Sequence, residues 1–320
     1  MKKFLAVMLS LIFCFSLFAG CAEKETAENL NEQYVAKIGD YQVSQAFFNL
    51  IMYAQSMQNE KEAAIKTSKD QISMFMTAAS FARERYGITE ESVKELVEQD
   101  MEEITTSYGD QASFESFLEK ANSTEEAMRL YVEMIEIYTL LNEKISAEGE
   151  ECYVSEEEVK NAFNVNYGDK LKVQHILVAT QGDANTPARS DDEAKAIVDE
   201  ILGKLASGEE FPKLIEEYDE DPGMTSANYY TFGSGEMVPE FEEASRNLKV
   251  GEYTKEAVKS SYGYHIIKRY PLDENSNEYT QTRMGLSEEK LLVILQGEIE
   301  KQEIKWSDTS INKYADKFYE

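Results

Sequence analysis

The chain has 320 residues, enough for two or three domains of the usual ~100–200 residues each. Its 32 basic and 61 acidic residues give a formal net charge of −29, which repels a polyanion and argues against nucleic acid as a partner. The acidity reads instead as a solvated surface that keeps the chain soluble, and 19 Tyr and 15 Phe supply ample core material.

Residues 1–20 read as a targeting segment. Lys2 and Lys3 form a positive start, and Phe4 to Phe18 is an apolar run broken only by two serines. The run is shorter than the ~20 apolar residues of a membrane span and fits the apolar region of a signal peptide. It ends in "LFAGC", which resembles the bacterial lipobox. That resemblance implies cleavage after Gly20 and acylation of Cys21, hence lipid anchoring at the extracytoplasmic face of the cell membrane, where more than one acyl chain is needed for lasting attachment. Cys152 is then the one unlipidated cysteine, so no internal disulfide framework is expected. It lies between Glu151 and Tyr153 without a basic neighbour, and nothing nearby lowers its thiol pKa for catalysis.

Residues 21–33 form a polar, acidic tether. "YVAKIGDYQVS" alternates apolar and polar residues around Gly39-Asp40 and predicts a hairpin. Ser44 is placed to cap a helix carrying Phe47, Phe48, Ile51 and Met52 at helical spacing. Almost pure helix follows: Lys61 to Arg85, Thr89 to Ser107 with a capping pattern in "TEES", one from Asp110, and a long one from Ser123. Methionines and aromatics line this part, among them Met52, Met57, Met76, Phe114, Tyr131 and Met134. They read either as plain helical core or as an adaptable apolar surface for unfolded clients. Residues 34–163 are thus expected to be a helical, chaperone-like region.

The pattern changes after "SEEEVKNAF", a short capped helix. Strand "LKVQHILV", helices from Asp191 to Ala206 and around "FPKLIEEY", an aromatic strand "NYYTF", a helix from Pro239 to Asn247, and strands near Tyr253–Val258 and Tyr262–Arg269 follow in order. All five prolines fall between Pro187 and Pro271. Residues 168–271 therefore read as a small α+β domain, β-α-α-β-α-β-β, with an antiparallel sheet. A polar linker is expected from Pro271 to Arg283, then a C-terminal helix from Ser287 to Gln302 with Leu291, Leu292, Leu295 and Ile299 on one side.

The second region resembles the parvulin family of peptidyl-prolyl isomerases. The matching blocks are "VQHILV" with His175, "FPKLIEEYDEDPG" with Asp221, "FGSGEMVPEFEEA" with Met237 and Phe241, "LKVGEYTKEAV", and "SYGYHIIK" with His265. Their order and spacing fit across Leu171 to Tyr270, and the whole plan resembles PrsA-type foldase lipoproteins. That resemblance implies a helical chaperone part bracketing the isomerase domain, with residues 284–320 packing back on the N-terminal region. It also implies clients that are unfolded or folding exported proteins, and it allows a homodimer. The departure is "MTSANYYTF", where the family carries a glycine-rich "GGDLG"-like turn; Tyr229 and Phe232 are assigned to that wall of the pocket. Arg189 stands alone in the loop after the first strand, so recognition of phosphorylated Ser/Thr-Pro, which needs a basic cluster, is not expected.

An X-Pro amide rotates slowly because resonance gives its C–N bond partial double-bond character, with a barrier near ~20 kcal/mol. No bond breaks, so no nucleophile, metal or cofactor is required. The site must hold the prolyl ring and favour the twisted amide over both planar forms. Met237, Phe241 and Phe232 are the expected floor and walls. His175 and His265 are the only histidines in the chain. Strand alternation puts the first on one face with Val173 and Leu177, the second with Gly263 and Ile267. The family places a His/His/Asp network there, which makes His175, His265 and Asp221 the expected catalytic set. The plainer alternatives are core histidines satisfied by backbone groups, and an Asp-Pro-Gly turn. Ser260 and Tyr262 either line the pocket or face solvent. A metal site on the same residues lacks any short-range ligand spacing. Three functions remain: a membrane-anchored foldase that isomerises X-Pro bonds, a holdase chaperone with an inactive parvulin domain, and a solute-binding lipoprotein, against which the helical first half argues.

Overall fold

The computed structural model describes residues 33–182 and 188–319; the signal, tether and Cys21 expectations lie outside the described residues. Two compact units emerge. The first comprises residues 33–153 with 287–319, the second residues 154–286.

In the first unit, β1 (Tyr34–Ile38) and β2 (Tyr41–Ser44) form the antiparallel hairpin. The helices α1 (Gln45–Ser56), α2 (Lys61–Tyr86), α3 (Glu90–Ser107), α4 (Gln111–Lys120) and α5 (Glu125–Ile145) follow. Ser44 Oγ accepts from Phe47 N–H and caps α1, and Ser92 Oγ accepts from Thr89 N–H at the start of α3. The cap of α5 is Thr124 rather than Ser123. Ser123 Oγ instead donates to the Ala46 carbonyl at 2.8 Å, a tertiary bond that local spacing does not reveal. One continuous core runs through these helices, with Phe47, Met52, Met76, Phe114 and Met128 essentially solvent-free. The methionine and aromatic set is thus mostly core, and Met57 is a member that stays exposed. Cys152 belongs to the same core, and burial pushes its thiol pKa up.

The second unit opens earlier than the expected domain boundary. Helix α6 (Glu156–Tyr167), capped by Ser155 and Glu158, belongs to it because Val159 and Phe163 pack on Tyr279. Next come β3 (Leu171–Ala179), α7 (Asp191–Ala206), α8 (Phe211–Tyr218), β4 (Tyr230–Phe232), α9 (Pro239–Asn247), β5 (Val258–Lys259) and β6 (Gly263–Tyr270). The sheet order is β4-β3-β6-β5 with every pair antiparallel, so the fold is α+β. The strand expected at Tyr253–Val258 is reduced to a bridge from Tyr253 to Lys268 and to β5.

The sheet separates two cores, as the period of two requires. Ile176, Val178 and Ile266 face α7 and α8 on one side. Leu171, Val173, Phe232, Phe241 and Ile267 form the other.

Helix α10 (Asn277–Glu300) begins well inside the expected linker. Its polar start reads as coil, yet Tyr279 is buried edge-on against Phe163, with ring centroids 5.0 Å apart, and its N–H is held by Ser276 Oγ. The unit boundary falls within α10. Beyond it, Leu291 and Leu295 enter the first unit's core, while Leu292, expected on that face, is exposed. The last helix is α11 (Asp308–Ala315).

Candidate active site

The long pairing of β3 with β6 sets the site. Leu177 lies opposite His265, and His175 opposite Ile267, so the two histidines sit diagonally on the same face. Their rings stack 11° from parallel, and the two Nδ1 atoms are 3.0 Å apart. Both rings are buried, 3% and 4% exposed. His175 Nε2 lies 2.8 Å from Asp221 Oδ2, and His265 Nε2 lies 2.7 Å from Ser260 Oγ.

The proton order follows from the carboxylate. Its bonds from His175, the Gly223 N–H and the Tyr230 hydroxyl hold Asp221 well below the usual carboxylate range. An ionised carboxylate only accepts, so His175 donates from Nε2. With one proton on each ring, its Nδ1 is an acceptor and receives the hydrogen bond donated by His265 Nδ1–H. His265 Nε2 is left to accept from Ser260, whose oxygen accepts in turn from Tyr262 N–H at 3.1 Å. Burial, with the adjacent His175 ring next in effect, pushes His265 down to about 4. His265 is therefore neutral at physiological pH, and all four ring nitrogens of the pair have partners.

Beside this network lies the apolar cluster. Phe241, from α9, stands edge-on to both imidazoles, 5.2 Å from His175 and 5.4 Å from His265. Phe232 packs behind it at 5.9 Å. Met237 is half-buried on the same cluster. Pro239 opens α9, where its missing N–H costs nothing.

Eight of the residues named from sequence are therefore placed as follows. His175, His265, Asp221, Ser260, Met237, Phe241 and Phe232 come together. Tyr262 contributes its backbone N–H while its side chain is 55% exposed. The ninth, Tyr229, stands elsewhere: it meets Tyr270 at 4.9 Å and lies under the Lys172 ammonium. Tyr270 pairs with Lys172 in the β3–β6 register, on the reverse of the sheet from His175. The residue on the histidine face is Tyr230, opposite Val173, with its hydroxyl 2.9 Å from Asp221 Oδ2. Alternation counted back from Phe232 points to Tyr230 and away from Tyr229, so a signal for it was present.

Two further residues carry no such signal. Asp219 Oδ1 accepts the Leu177 N–H at 2.7 Å, and burial pushes its carboxyl up to about 6. Buried Gln174, on the reverse face of β3, holds the carbonyls of Thr225, Ser226 and Asn228 with its amide nitrogen. Arg189 is bound to both carboxylate oxygens of Glu220 at 2.7 Å.

Comparison with known proteins agrees with this architecture. Residues 158–270 match the PPIC-type PPIase domain. The foldase protein PrsA of Geobacillus kaustophilus is 36% identical over 186 residues, 58% of this chain and 56% of that protein, so the match spans little more than half that relative's length. Foldase protein PrsA 1 of Listeria innocua is 30% identical over 272 residues, covering 81% of this chain and 83% of its own. The chain belongs to the PrsA foldase family, and its second unit is a parvulin-type peptidyl-prolyl isomerase domain.

Proposed function

We propose that the chain is an extracytoplasmic foldase that isomerises X-Pro bonds in exported proteins, with His175, His265 and Asp221 as its catalytic network. The observation that carries this reading is the closed network lying against Phe241 and beside Met237. A prolyl ring resting on Met237 and the Phe241 wall is withdrawn from water there. Its amide loses resonance as it twists and becomes less polar, so a dry apolar surface favours the twisted state over both planar ones. Because every ring nitrogen has a partner, the histidines act by fixing the wall and its electrostatics, with no proton passed to substrate.

The experiment is a proline-peptide isomerisation assay on the full chain, comparing wild type with Met237→Ala and His265→Ala. His265→Ala orphans His175 Nδ1 and Ser260 Oγ, a cost of ~1–3 kcal/mol that corresponds to roughly tenfold to hundredfold in rate if it falls on the transition state. Wild-type turnover at background would leave a holdase with an inactive isomerase domain.

The proposal extends to lipidation at Cys21, to client holding by the helical unit, and to a homodimer through that unit. Among the described residues no helix is long and apolar enough to cross a membrane. Cys21→Ser should release the chain from the membrane fraction. Unchanged aggregation of an unfolded client in the presence of the chain would remove the holding role, and a monomer mass in solution would remove the dimer.

A further inference from the structure

We propose that Tyr230 is a positioning residue: its hydroxyl fixes the orientation and charge of Asp221, and through Asp221 the tautomers of both histidines. The inference rests on the isomerase reading only where turnover is measured.

Asp221 is held at three points by its own chain. Oδ1 accepts the Gly223 N–H at 2.9 Å, and Oδ2 accepts both His175 Nε2–H at 2.8 Å and Tyr230 O–H at 2.9 Å. With only the first two donors, the carboxylate could swing about its Cβ–Cγ bond. The phenol supplies the third point that fixes its plane. Burial, and then the bond to Asp221, push Tyr230 up to about 12, so it stays a donor throughout the physiological range. The other charged neighbours are committed elsewhere: Asp219 accepts from Leu177 N–H, and Glu220 is paired with Arg189.

Gly223 makes the arrangement sterically possible. A Cβ at that position would lie 2.3 Å from Tyr230 Oη and 3.3 Å from Asp221 Oδ1. The glycine of the Asp-Pro-Gly turn therefore clears the space that the phenol occupies, in addition to making the turn. A tyrosine that only filled a core gap would not need that clearance at its hydroxyl. Its ring centroid is 5.6 Å from that of His175, so the side chain braces the imidazole as well as the carboxylate.

The test uses the full chain, whose two histidines make ring-nitrogen spectra directly readable. In wild type one ring should show the Nε2–H form and the other the Nδ1–H form, with His265 staying neutral to mildly acidic pH. In Tyr230→Phe the acid titration of His265 should move up by roughly one pH unit, the size expected for losing one bond to a charged group. The acid limb of kcat/KM should move with it, and the plateau should fall about threefold. Gly223→Ala, which displaces the phenol, should reproduce the shift and add nothing to Tyr230→Phe in the double variant. Tyr270→Phe, on the reverse face, should shift nothing. Ring spectra of Tyr230→Phe that overlay those of wild type would overturn the proposal, whatever the turnover. If the spectra move but wild type has no isomerase activity, the positioning role stands and the isomerase reading fails.

Discussion

The two units bury polar groups of different kinds. The helical unit is mainly apolar inside, with Phe47, Met52, Met76 and Phe114 almost without exposed surface, and its buried amides and hydroxyls, such as Gln45, Asn49 and Ser123, are neutral groups bonded within that unit. The sheet unit also has apolar cores, yet it buries two imidazoles and an amide among them. A buried polar group is costly unless bonded; every imidazole nitrogen here has a partner, and the Gln174 amide nitrogen has three. The difference is instructive. Dispersion and hydrophobic burial tolerate exchange of one shape for a similar one, whereas a bonded network specifies atoms. The unit that buries a bonded pair of titratable rings is the one that matches the isomerase domain.

The sharpest way to break this contrast is to damage each interior by its own rule. Phe47→Ala should destabilise the helical unit by about 3–5 kcal/mol, read by denaturant unfolding, while the histidine ring spectra of the folded chain stay as in wild type. Next in size is Gly263→Ala. A Cβ there, at φ +152°, would meet the Val178 carbonyl oxygen at 2.2 Å, directly between β3 and β6. We expect a loss of about 2–3 kcal/mol confined to the sheet unit, visible as early exchange of β3 and β6 amides. Exchange spread evenly over both units would show that they do not fold separately.

Smaller effects come from pH. In the helical unit, burial, the nearby Asp100 charge and its hydrogen bond raise Glu136 to about 7. The folded state then holds a proton that the unfolded chain releases, so this contribution is present below about pH 4.5 and is lost as pH rises toward 7. Glu136→Gln should flatten that slope in a melting series. In the sheet unit two groups oppose one another. His265, depressed to about 4, makes stability fall as pH drops from about 6.5 to 4. Asp219, raised to about 6, makes it rise over a similar interval. Their sum should be nearly flat, and Asp219→Asn should uncover the His265 slope. A flat curve in that variant would show that the imidazole is less desolvated than its burial implies.

Much of the fold was legible because it is written locally. Ser44, Thr89 and Ser155 announce helix starts through caps that need only three or four neighbours. The alternation in "KVQHILV" puts His175 on its face without further information. What was hidden depended on partners far along the chain. The start of α10 looks like linker because Tyr279 acquires its reason from Phe163. Leu292 shares a heptad-like spacing with buried neighbours but falls on the wrong side of the helix. In the site, the histidine pair and Asp221 were within reach of strand pairing and resemblance. Tyr230 was displaced in favour of Tyr229 because two adjacent tyrosines look alike until the parity of the strand is counted from Phe232. Gln174 acts on loop carbonyls and Asp219 on the Leu177 amide of β3, and backbone carbonyls and amides leave no mark in a sequence.

Gln174 has a consequence of its own. One NH₂ group, with two hydrogens, serves three carbonyls at 2.9, 3.1 and 3.4 Å, which spaces Thr225, Ser226 and Asn228 like teeth on a comb. Insertion or deletion of one residue in that stretch would slide every tooth out of mesh and turn the following strand over, swapping Tyr230 for a neighbour on the inner side. A position that no prolyl peptide would touch thus limits which loop lengths this lineage can explore.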